Sequence, residues 1–475
     1  MAKAKDVESG ESIILPLISR GTKEVGCGSN CMVLLSTLVA VAGSFQFGMS
    51  GGFSSPAQAG IRRDLHLTLA EYSMFGSILT IGAMVGAIMS GRLSDFLGRK
   101  GAMRISSIFC VVGWLFIYVA KGAWSLDIGR LSLGYGIGIL SFVVPTYIAE
   151  ITPKNMRGAL TTANQLLIVC GGSFSYLLGT VVTWRTLALM GFIPSMLQML
   201  GLCFIPESPR WLAKVGKQEE FESELRRLRG GSADISDEAI EIQKYVESIA
   251  KLPKARIRDL FRRNYLYSVI VAVGLILLQQ FGGINGIGFY ASETFVAAGF
   301  SSGNAGTVAM AAIQVPVTTV GALLLDRVGR RPLIMVSATG TCLGCFLAGL
   351  SFLIKGHVSS PDIIPILALA GILLYIGSFS IGLGAVPWLI MSEIFPLHVK
   401  GMAGSLVTLV HWFGSWAISY AFNFLMTWSS SGTLFVFSAV GALTVLFVAK
   451  LVPETKGRTL EEITSAMSSF SSTKL

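Results

Sequence analysis

Two glutamines and an asparagine interrupt an apolar stretch in the middle of the chain. Gln279, Gln280 and Asn285 follow the apolar run at residues 265–278, and the whole stretch is long enough to cross a lipid bilayer. An amide group left unpaired in hydrocarbon costs several kcal/mol. These three side chains should therefore face other parts of the protein or a water-filled cavity.

The same stretch would form a binding groove if it were one continuous helix. Gln279, Gly283, Gly286 and Tyr290 would then share one face, because their spacing follows the helical repeat. Hydrogen-bonding groups beside a glycine groove could hold a small polyhydroxylated ligand. The alternative is that the amides join neighbouring helices and the glycines allow close packing. The stretch alone favours neither interpretation.

The composition indicates a protein with many membrane spans. The 475 residues are 52% hydrophobic and only 13% charged, with a mean hydropathy of +0.66, whereas soluble domains carry about 25% charged residues. Charge-poor apolar runs predict twelve membrane helices, which lie near residues 32–53, 70–90, 103–120, 125–149, 161–182, 186–205, 265–290, 305–325, 333–354, 363–391, 402–426 and 432–452.

The net charge of +10 reflects orientation in the bilayer and not a nucleic-acid partner, because the basic residues form neither a tail nor a patch. Most of them lie in short loops on one side, here called the basic face: Arg92, Arg99, Lys100, Arg104, Lys154, Arg157, Arg327, Arg330, Arg331 and Lys400. The opposite face carries chiefly Arg62, Arg63, Lys121, Arg185 and Lys355. By the positive-inside rule the basic face is cytosolic.

The remaining segments are polar and are also expected in the cytosol. Residues 1–30 predict a disordered tail, residues 206–264 a loop with short amphipathic helices, and residues 453–475 a second tail. Within the first tail, ESIILPLI at residues 11–18 resembles the acidic dileucine sorting signals of some tonoplast transporters. This resemblance would make sorting adaptors a partner and favours the vacuolar membrane, with the plasma membrane as the alternative.

Three pairs of motifs show that the chain is a duplication. GRLSDFLGRK (91–100) follows the second span and LDRVGRR (325–331) the eighth. PTYIAEITPKNMRG (145–158) follows the fourth span and PWLIMSEIFPLHVKG (387–401) the tenth, while PESPR (206–210) and PETKG (453–457) end the two halves. The predicted fold is therefore an all-α membrane protein with twelve transmembrane helices in two pseudo-symmetric six-helix halves, at residues 31–205 and 265–452.

The order of these motifs over residues 32–460 resembles the sugar porter family of the major facilitator superfamily. SPAQAGI at residues 55–61 further resembles plant monosaccharide transporters of the early-response-to-dehydration type. The resemblance implies the major facilitator fold and a carrier that moves a monosaccharide, such as the hexose glucose, by alternating access. It implies no enzymatic activity and no cofactor, and the sequence contains neither a phosphate-binding GxxxxGK[ST] loop nor a His/Cys cluster at metal-ligand spacing.

The resemblance places sugar contacts at Gln165, Gln279, Gln280, Asn285, Tyr290 and Trp388. Neutral amides suit sugar hydroxyls, and an indole covers the apolar face of a pyranose. The chain departs from the family pattern at Gln314 in the eighth span and at His411, beside Trp412, in the eleventh, where asparagines are frequent. These residues are also candidate sugar contacts, although for His411 a structural hydrogen bond between helices is an equal alternative.

The duplicated charged motifs predict a latch at the basic face. The expected pairs are Asp95 with Arg99 and Lys100, Asp326 with Arg330 and Arg331, Glu150 with Arg157, and Glu393 with Lys400. In the family such pairs hold the halves closed on that side, and exposed pairs worth about 0–1 kcal/mol could break in every cycle. The alternative is that these charges only set the topology.

One position bears on energy coupling. Proton-coupled members of the family pair an aspartate in the first span with an arginine in the fourth; Arg130 matches the arginine, but Ser50 occupies the aspartate position. Serine does not titrate at physiological pH, so facilitated diffusion is expected. The alternatives are proton coupling through another group, such as His411, and a non-transporting sugar sensor, which would be expected to carry a long signalling loop or tail.

Overall fold

The computed structural model describes residues 30–153, 156–230, 233–251, 257–355, 363–456 and 462. The sequence expectations for the N-terminal tail, including its sorting signal, and for nearly all of the C-terminal tail beyond residue 456 lie outside these residues. The described residues form helices joined by short turns and loops, with no strand among them.

The N-terminal half contains six spans in five long helices, with a short helix, α2, at the opposite face. The long helix α3 would measure about 75 Å, roughly twice the thickness of a bilayer, and it contains two spans that meet at Gly98, where φ is 80°. The helices are α1 (Cys31–Gly52), α2 (Ser54–Leu65), α3 (Leu69–Tyr118), α4 (Ala123–Ile151), α5 (Arg157–Leu178) and α6 (Trp184–Gly201).

Short helices follow at the basic face: α7 (Pro209–Val215), α8 (Gln218–Arg229), α9 (Ser236–Ala250) and a 3-10 helix at Ile257–Phe261. Phe221, Leu225 and Ile242 form a small apolar core between α7, α8 and α9. Arg229 ties this unit to the N-terminal half, because it binds the Glu238 carboxylate and donates to the carbonyl of Ile151 at the end of α4, 2.9 Å away.

The C-terminal half repeats the pattern with two broken spans. Its helices are α10 (Arg263–Phe281), α11 (Ile284–Phe289), α12 (Ala291–Ala298), α13 (Asn304–Val328), α14 (Arg330–Ile354), α15 (Ile363–Ile381), α16 (Val386–Ile394), α17 (Leu397–Trp428) and α18 (Ser430–Leu451). Eight helical segments of the described chain are each apolar and long enough to cross a membrane. With α3 counted twice and α5, α6 and α17 added, the twelve predicted spans and the two-half fold are confirmed.

The expectation of one continuous helix through residues 279–290 is wrong. The seventh span stops at Phe281 and restarts at Ile284, with Gly283 in the left-handed region at φ 93°. A side chain at position 283 would also collide with the ring of Phe437, 2.5 Å from an added Cβ. Tyr290 consequently lies beyond a second break and does not continue a stripe that begins at Gln279.

Polar contacts between the two halves lie at or towards the opposite face throughout the described chain. Tyr176 donates to the carbonyl of Gly288 at 2.8 Å, and the N–H of Ser292 donates to the hydroxyl of Ser55 at 2.9 Å. The others are Asn423 to Ser73, Asn304 to Thr180, Ser173 to Gln314, and the Arg62–Glu293 ion pair at 3.9 Å. This conformation is therefore closed at the opposite face.

Candidate substrate site

A chain of hydrogen-bonded amides lies where the broken seventh and tenth spans meet the eleventh. Gln279 donates to the carbonyl of Leu383 at 2.5 Å, and Gln280 donates to the side-chain oxygen of Gln279 at 3.0 Å. Asn285 donates to Gln280 at 2.6 Å, and the Gln280 nitrogen lies 2.9 Å from Nδ1 of His411. The sequence expectation that these amides face protein or a cavity agrees with this arrangement.

The two ends of this chain differ in exposure. Gln279 and Gln280 are only 3% and 1% exposed, and their amides are bonded to other parts of the protein, as the helix-joining interpretation expects. Asn285 and His411 are partly exposed. An incoming ligand can therefore reach Asn285 and His411 more readily than the two glutamines.

Aromatic rings enclose the histidine. The imidazole of His411 lies edge-to-face against the indoles of Trp388 and Trp412, with ring centroids 5.1 and 5.0 Å apart. Phe47 of the first span approaches Trp412 at 6.0 Å, so both halves contribute to this wall. Trp388 stands in the first turn of α16, directly after the break at residues 382–385.

The other predicted sugar contacts lie apart from the amide chain. Gln165 is partly exposed on α5, and Gln314 on α13 accepts a 3.5 Å hydrogen bond from Ser173. Tyr290 is fully buried at the contact between the halves, where it stacks on Phe422 at 5.6 Å. The structure thus brings together Gln279, Gln280, Asn285, Trp388, His411 and Trp412, and it places Tyr290 at the closed opposite face.

Arg130 is fully buried between the first, second and fourth spans. Its guanidinium donates to the carbonyl of Ser50 at 2.6 Å and to the hydroxyl of Ser54 at 2.5 Å. It also lies over the rings of Phe53 and Phe75. The hydroxyl of Ser50 donates to the carbonyl of Gln46 instead, so Ser50 contacts Arg130 through its backbone.

The closest described ion pairs of the duplicated motifs join helices within each half. Arg99 binds Glu150 through two 2.8 Å contacts and lies 3.5 Å from Asp95. Arg330 binds Glu393 at 3.0 Å, where the sequence paired Glu393 with Lys400. The side chains of Arg157 and Asp326 lie outside the described residues. The expected Asp95–Arg99 pair within one motif is therefore present, whereas the closer pairs connect one motif to the next within a half.

Two further glutamates, which the sequence analysis noted only as part of a repeat, complete these networks. Glu207 accepts from the backbone N–H groups of Arg99 and Lys100, and Glu454 accepts from those of Arg330 and Arg331. A carboxylate at the start of a helix suits the positive end of its dipole. The repetition of PESPR and PETKG pointed to these two glutamates, but their spacing in the sequence did not show which N–H groups they bind.

The two carboxylates differ in their acid strength. Burial raises the pKa of Glu207, although three backbone N–H donors oppose the rise. At Glu454 burial also acts to raise the pKa, but the backbone donors outweigh it and the pKa lies below its ordinary value. As the pH falls, Glu207 therefore takes up a proton before Glu454 does. The part of α3 that begins after Gly98 then loses its charged cap before α14 does.

Known proteins resemble this chain over nearly its whole length. The family model described as "Sugar (and other) transporter" matches residues 36–467. Sugar transporter ERD6-like 16 of Arabidopsis thaliana is 58% identical over 468 residues, which are 97% of each chain. Sugar transporter ERD6-like 7 of the same plant is 57% identical over 463 residues, 98% of this chain and 99% of its own.

Solved structures of a bacterial transporter share the fold. The xylose transporter XylE from E. coli in its inward open conformation has a TM-score of 0.77 at 26% identity, covering 91% of this chain and 99% of its own. The proton:xylose symporter XylE bound to 6-bromo-6-deoxy-D-glucose has a TM-score of 0.74 at 26% identity, covering 92% of this chain and 100% of its own.

Proposed function

Because this chain belongs to the sugar porter family of the major facilitator superfamily, as a member of the ERD6-like type, we propose that it carries monosaccharides by facilitated diffusion, with a hexose such as glucose as substrate. The chain is a multi-pass membrane transporter that works by alternating access, and it is not an enzyme. The identity of the sugar, the absence of proton coupling and the membrane in which the chain resides are proposals.

The uncharged donor set of the site supports a neutral, polyhydroxylated substrate. Asn285 and His411 offer hydrogen-bonding groups beside the indoles of Trp388 and Trp412. Amides match hydroxyls without the desolvation cost of a buried charge, and an indole face covers the C–H side of a pyranose. We extend the site to Gln165 and Gln314, which lie on facing spans of the two halves.

The closed opposite face supports the direction of access. With the basic face assigned to the cytosol, a conformation whose described polar contacts between the halves lie at or towards the opposite face would admit sugar from the cytosol. We propose that the Arg99–Glu150 and Arg330–Glu393 pairs are rearranged when the basic face closes. Asp95, Arg157, Asp326 and Lys400 would join that closure.

The surroundings of Arg130 support facilitated diffusion. Its described partners are a carbonyl, a hydroxyl and two phenylalanine rings, none of which exchanges a proton at physiological pH. The thermodynamic incentive exists, because one proton crossing 100 mV supplies about 2.3 kcal/mol. What is missing is an acid at position 50 of the first span, beside Arg130, to carry that proton.

Transport by the purified chain in proteoliposomes tests this proposal. Radiolabelled glucose should exchange against internal glucose and should reach, but not exceed, the external concentration when a pH gradient and a membrane potential are imposed. Accumulation above the external concentration that a protonophore abolishes would show proton coupling. Binding of monosaccharides without any exchange would instead identify a sensor.

We also propose the vacuolar membrane as the site of action, with the plasma membrane as the alternative. The support is the sequence ESIILPLI at residues 11–18, which would bind sorting adaptors. A fluorescent fusion should mark the tonoplast, and replacing Leu17 and Ile18 by alanine should redirect it to the plasma membrane. If the alanine variant still marks the tonoplast, residues 11–18 do not direct the chain there.

A further inference from the structure

We propose that the basic face holds a binding site for the headgroup of an anionic phospholipid at the end of the sixth span. The site is formed by a cationic cluster of Lys100, Arg104 and Arg227. It lies outside the sugar pathway, and it does not depend on which sugar the chain carries.

The cationic cluster joins two helices that are far apart in the sequence. Lys100 and Arg104 lie one turn apart on α3, at the start of the third span, and Arg227 lies in the last turn of α8. Arg104 donates to the carbonyl of Leu202 at 3.4 Å, and Arg227 donates to that of Phe204 at 2.5 Å. Both guanidiniums therefore lie over the end of α6, where the negative end of the helix dipole attracts cations.

The charges in this region do not cancel. The groups whose charges act on Lys100 are the carboxylates of Glu207 and Glu224 and the guanidiniums of Arg104 and Arg227. With Lys100 itself they make three cations against two carboxylates, so one positive charge is left over. Glu207 is already bonded to backbone N–H groups, and Glu224 lies 3.5 Å from Arg227. The ammonium of Lys100 makes no ion pair or hydrogen bond within the part of the chain that the structure describes.

Apolar side chains lie beside the cationic cluster on the membrane side. On the third span Ile108 follows Arg104 by one turn, and on the sixth span Leu197, Leu200 and Phe204 lie on one side of the helix end. These four apolar side chains are 51–67% exposed. A partner that meets charges at one end and exposed apolar side chains at the other must be an amphiphile. A soluble anion would contact only the charges.

An anionic headgroup supplies the missing charge. The phosphodiester of phosphatidylinositol carries one negative charge and offers oxygen acceptors to ammonium and guanidinium N–H groups. Phosphatidylcholine adds a cation of its own, which the left-over positive charge repels. The basic face is assigned to the cytosol, whose leaflet contains the anionic lipids, and basic pockets between spans on that side suit their headgroups. A bound headgroup would hold α8 against the ends of α3 and α6.

Lipid binding to the purified chain tests the site. Delipidated protein is titrated with phosphatidylinositol or with phosphatidylcholine of the same acyl chains, and native mass spectrometry counts the bound lipids. Phosphatidylinositol should bind more tightly. Arg104→Gln and Arg227→Gln should each weaken its binding about fivefold, because each removes one basic group near the anionic headgroup. Equal binding of the two lipids by the wild type, or an unchanged affinity for phosphatidylinositol in both variants, would contradict the proposal.

Arg185→Gln is the matched control. The guanidinium of Arg185 also donates to carbonyls at the end of a span, those of Tyr118 and Ala120, but at the opposite face. This variant should bind phosphatidylinositol as the wild type does, and a loss equal to that of Arg104→Gln would contradict the site. Arg104→Lys keeps the charge and should keep most of the affinity, whereas a loss as large as that of Arg104→Gln would show a structural role instead. Arg227→Gln, on the surface helix α8, decides the question should the Arg104 variants fail to fold.

Two further measurements separate a lipid from a soluble anion. Hydrogen exchange in α8 should be slower in nanodiscs that contain phosphatidylinositol than in nanodiscs of phosphatidylcholine alone, and Arg227→Gln should remove the difference; equal exchange in the wild type would contradict the proposal. Glycerophosphoinositol, the same headgroup without acyl chains, should not displace the lipid at equal concentration. Displacement would identify a soluble phosphate ligand and overturn the lipid site. None of these measurements requires transport, so an absence of glucose exchange would contradict the proposed function alone.

Discussion

Arg130 carries a positive charge inside the membrane domain and contacts no carboxylate within the described chain. Removing an ion from water is costly unless a partner compensates. The carbonyl of Ser50, the hydroxyl of Ser54 and two aromatic faces offset part of that cost. Its Nε atom stays buried without a partner. Position 50 is therefore where an added acid should have the largest effect.

We expect Ser50→Asp to convert the carrier into a proton-coupled one. The new carboxylate would pair with Arg130 and could gain and lose a proton during the cycle. A tenfold sugar gradient costs only about 1.4 kcal/mol, less than the roughly 2.3 kcal/mol that one proton supplies across 100 mV. Glucose accumulation in energised proteoliposomes measures the gain. Ser50→Asn, similar in size but not titratable, should only equilibrate; equal behaviour of both variants would contradict the idea.

Asn285 is the amide of the chain most open to a ligand, so Asn285→Ala should weaken glucose binding about two- to tenfold. The variant removes one donor to Gln280 and the hydrogen bonds that we assign to the sugar. Competition binding on purified protein measures the change. Gln218→Ala, which removes an exposed amide on α8, is the control and should bind as the wild type does. An unchanged affinity in Asn285→Ala would favour a purely structural role for this amide.

At the level of helices, apolar runs and repeated motifs were enough to predict the spans but not their breaks. The run through residues 265–290 reads as one helix because neither a charged residue nor a proline interrupts it. The break at Gly283 depends on the ring of Phe437, which fills the space of a Cβ and lies in a distant part of the sequence. Likewise the Leu383–Gln279 bond links residues 104 positions apart, which no local pattern records.

The charged motifs show the same limit. Their spacing within each loop suggested local pairs, such as Glu393 with Lys400. The structure pairs Arg330 with Glu393 across 63 positions and Arg99 with Glu150 across 51. Which helix end faces which is decided by packing of the spans, so the composition of the networks could be predicted from the sequence but not their connections.

Helix α3 contributes one contact that should control closure of the opposite face. A Cβ at Gly76 would lie 2.4 Å from the phenol oxygen of Tyr290, and Tyr290 is fully buried against Phe422 and Tyr72. We therefore expect Gly76→Ala to push the halves apart at that face and to slow transport. Hydrogen exchange should rise in α11 and α12.

Gly91→Ala is the matched control for this prediction. Gly91 belongs to the same helix and has no neighbouring heavy atom within 4 Å of an added Cβ. The hydrogen exchange and the transport rate of Gly91→Ala should therefore match those of the wild type. Unchanged exchange in α11 and α12 of Gly76→Ala would show that Tyr290 adjusts without opening the face.

For the molecule as a whole, the closed face is held by several weak contacts. Neutral hydrogen bonds contribute about 0.5–1.5 kcal/mol each, and the half-exposed Arg62–Glu293 pair at 3.9 Å contributes about 0–1 kcal/mol. Such contacts can break in every cycle, which suits a carrier with two populated conformations. Losing one of them should shift the balance without unfolding either half.

Tyr176→Phe tests this balance. It removes only the hydrogen bond to Gly288 and should raise the fraction open at the opposite face by up to about tenfold. Ser73→Cys, at a buried position under Asn423, reports opening through labelling by an impermeant maleimide. Tyr118→Phe, whose phenol makes no described hydrogen bond, is the control. If the cysteine introduced at position 73 is labelled equally in the Tyr176→Phe and Tyr118→Phe proteins, the Tyr176–Gly288 bond does not hold the face closed.

The self-contained networks also bear on how the chain is made. Arg99, Glu150 and Glu207 all belong to the first half, and the described partners of Arg130 precede it in the sequence. A ribosome therefore delivers every member of these networks by the time α7 is translated. In the second half the cap of α14 waits for Glu454, which follows the last span, α18. The first half can pair its charges while the second is still being inserted, whereas the second is complete only after all of its spans have been made.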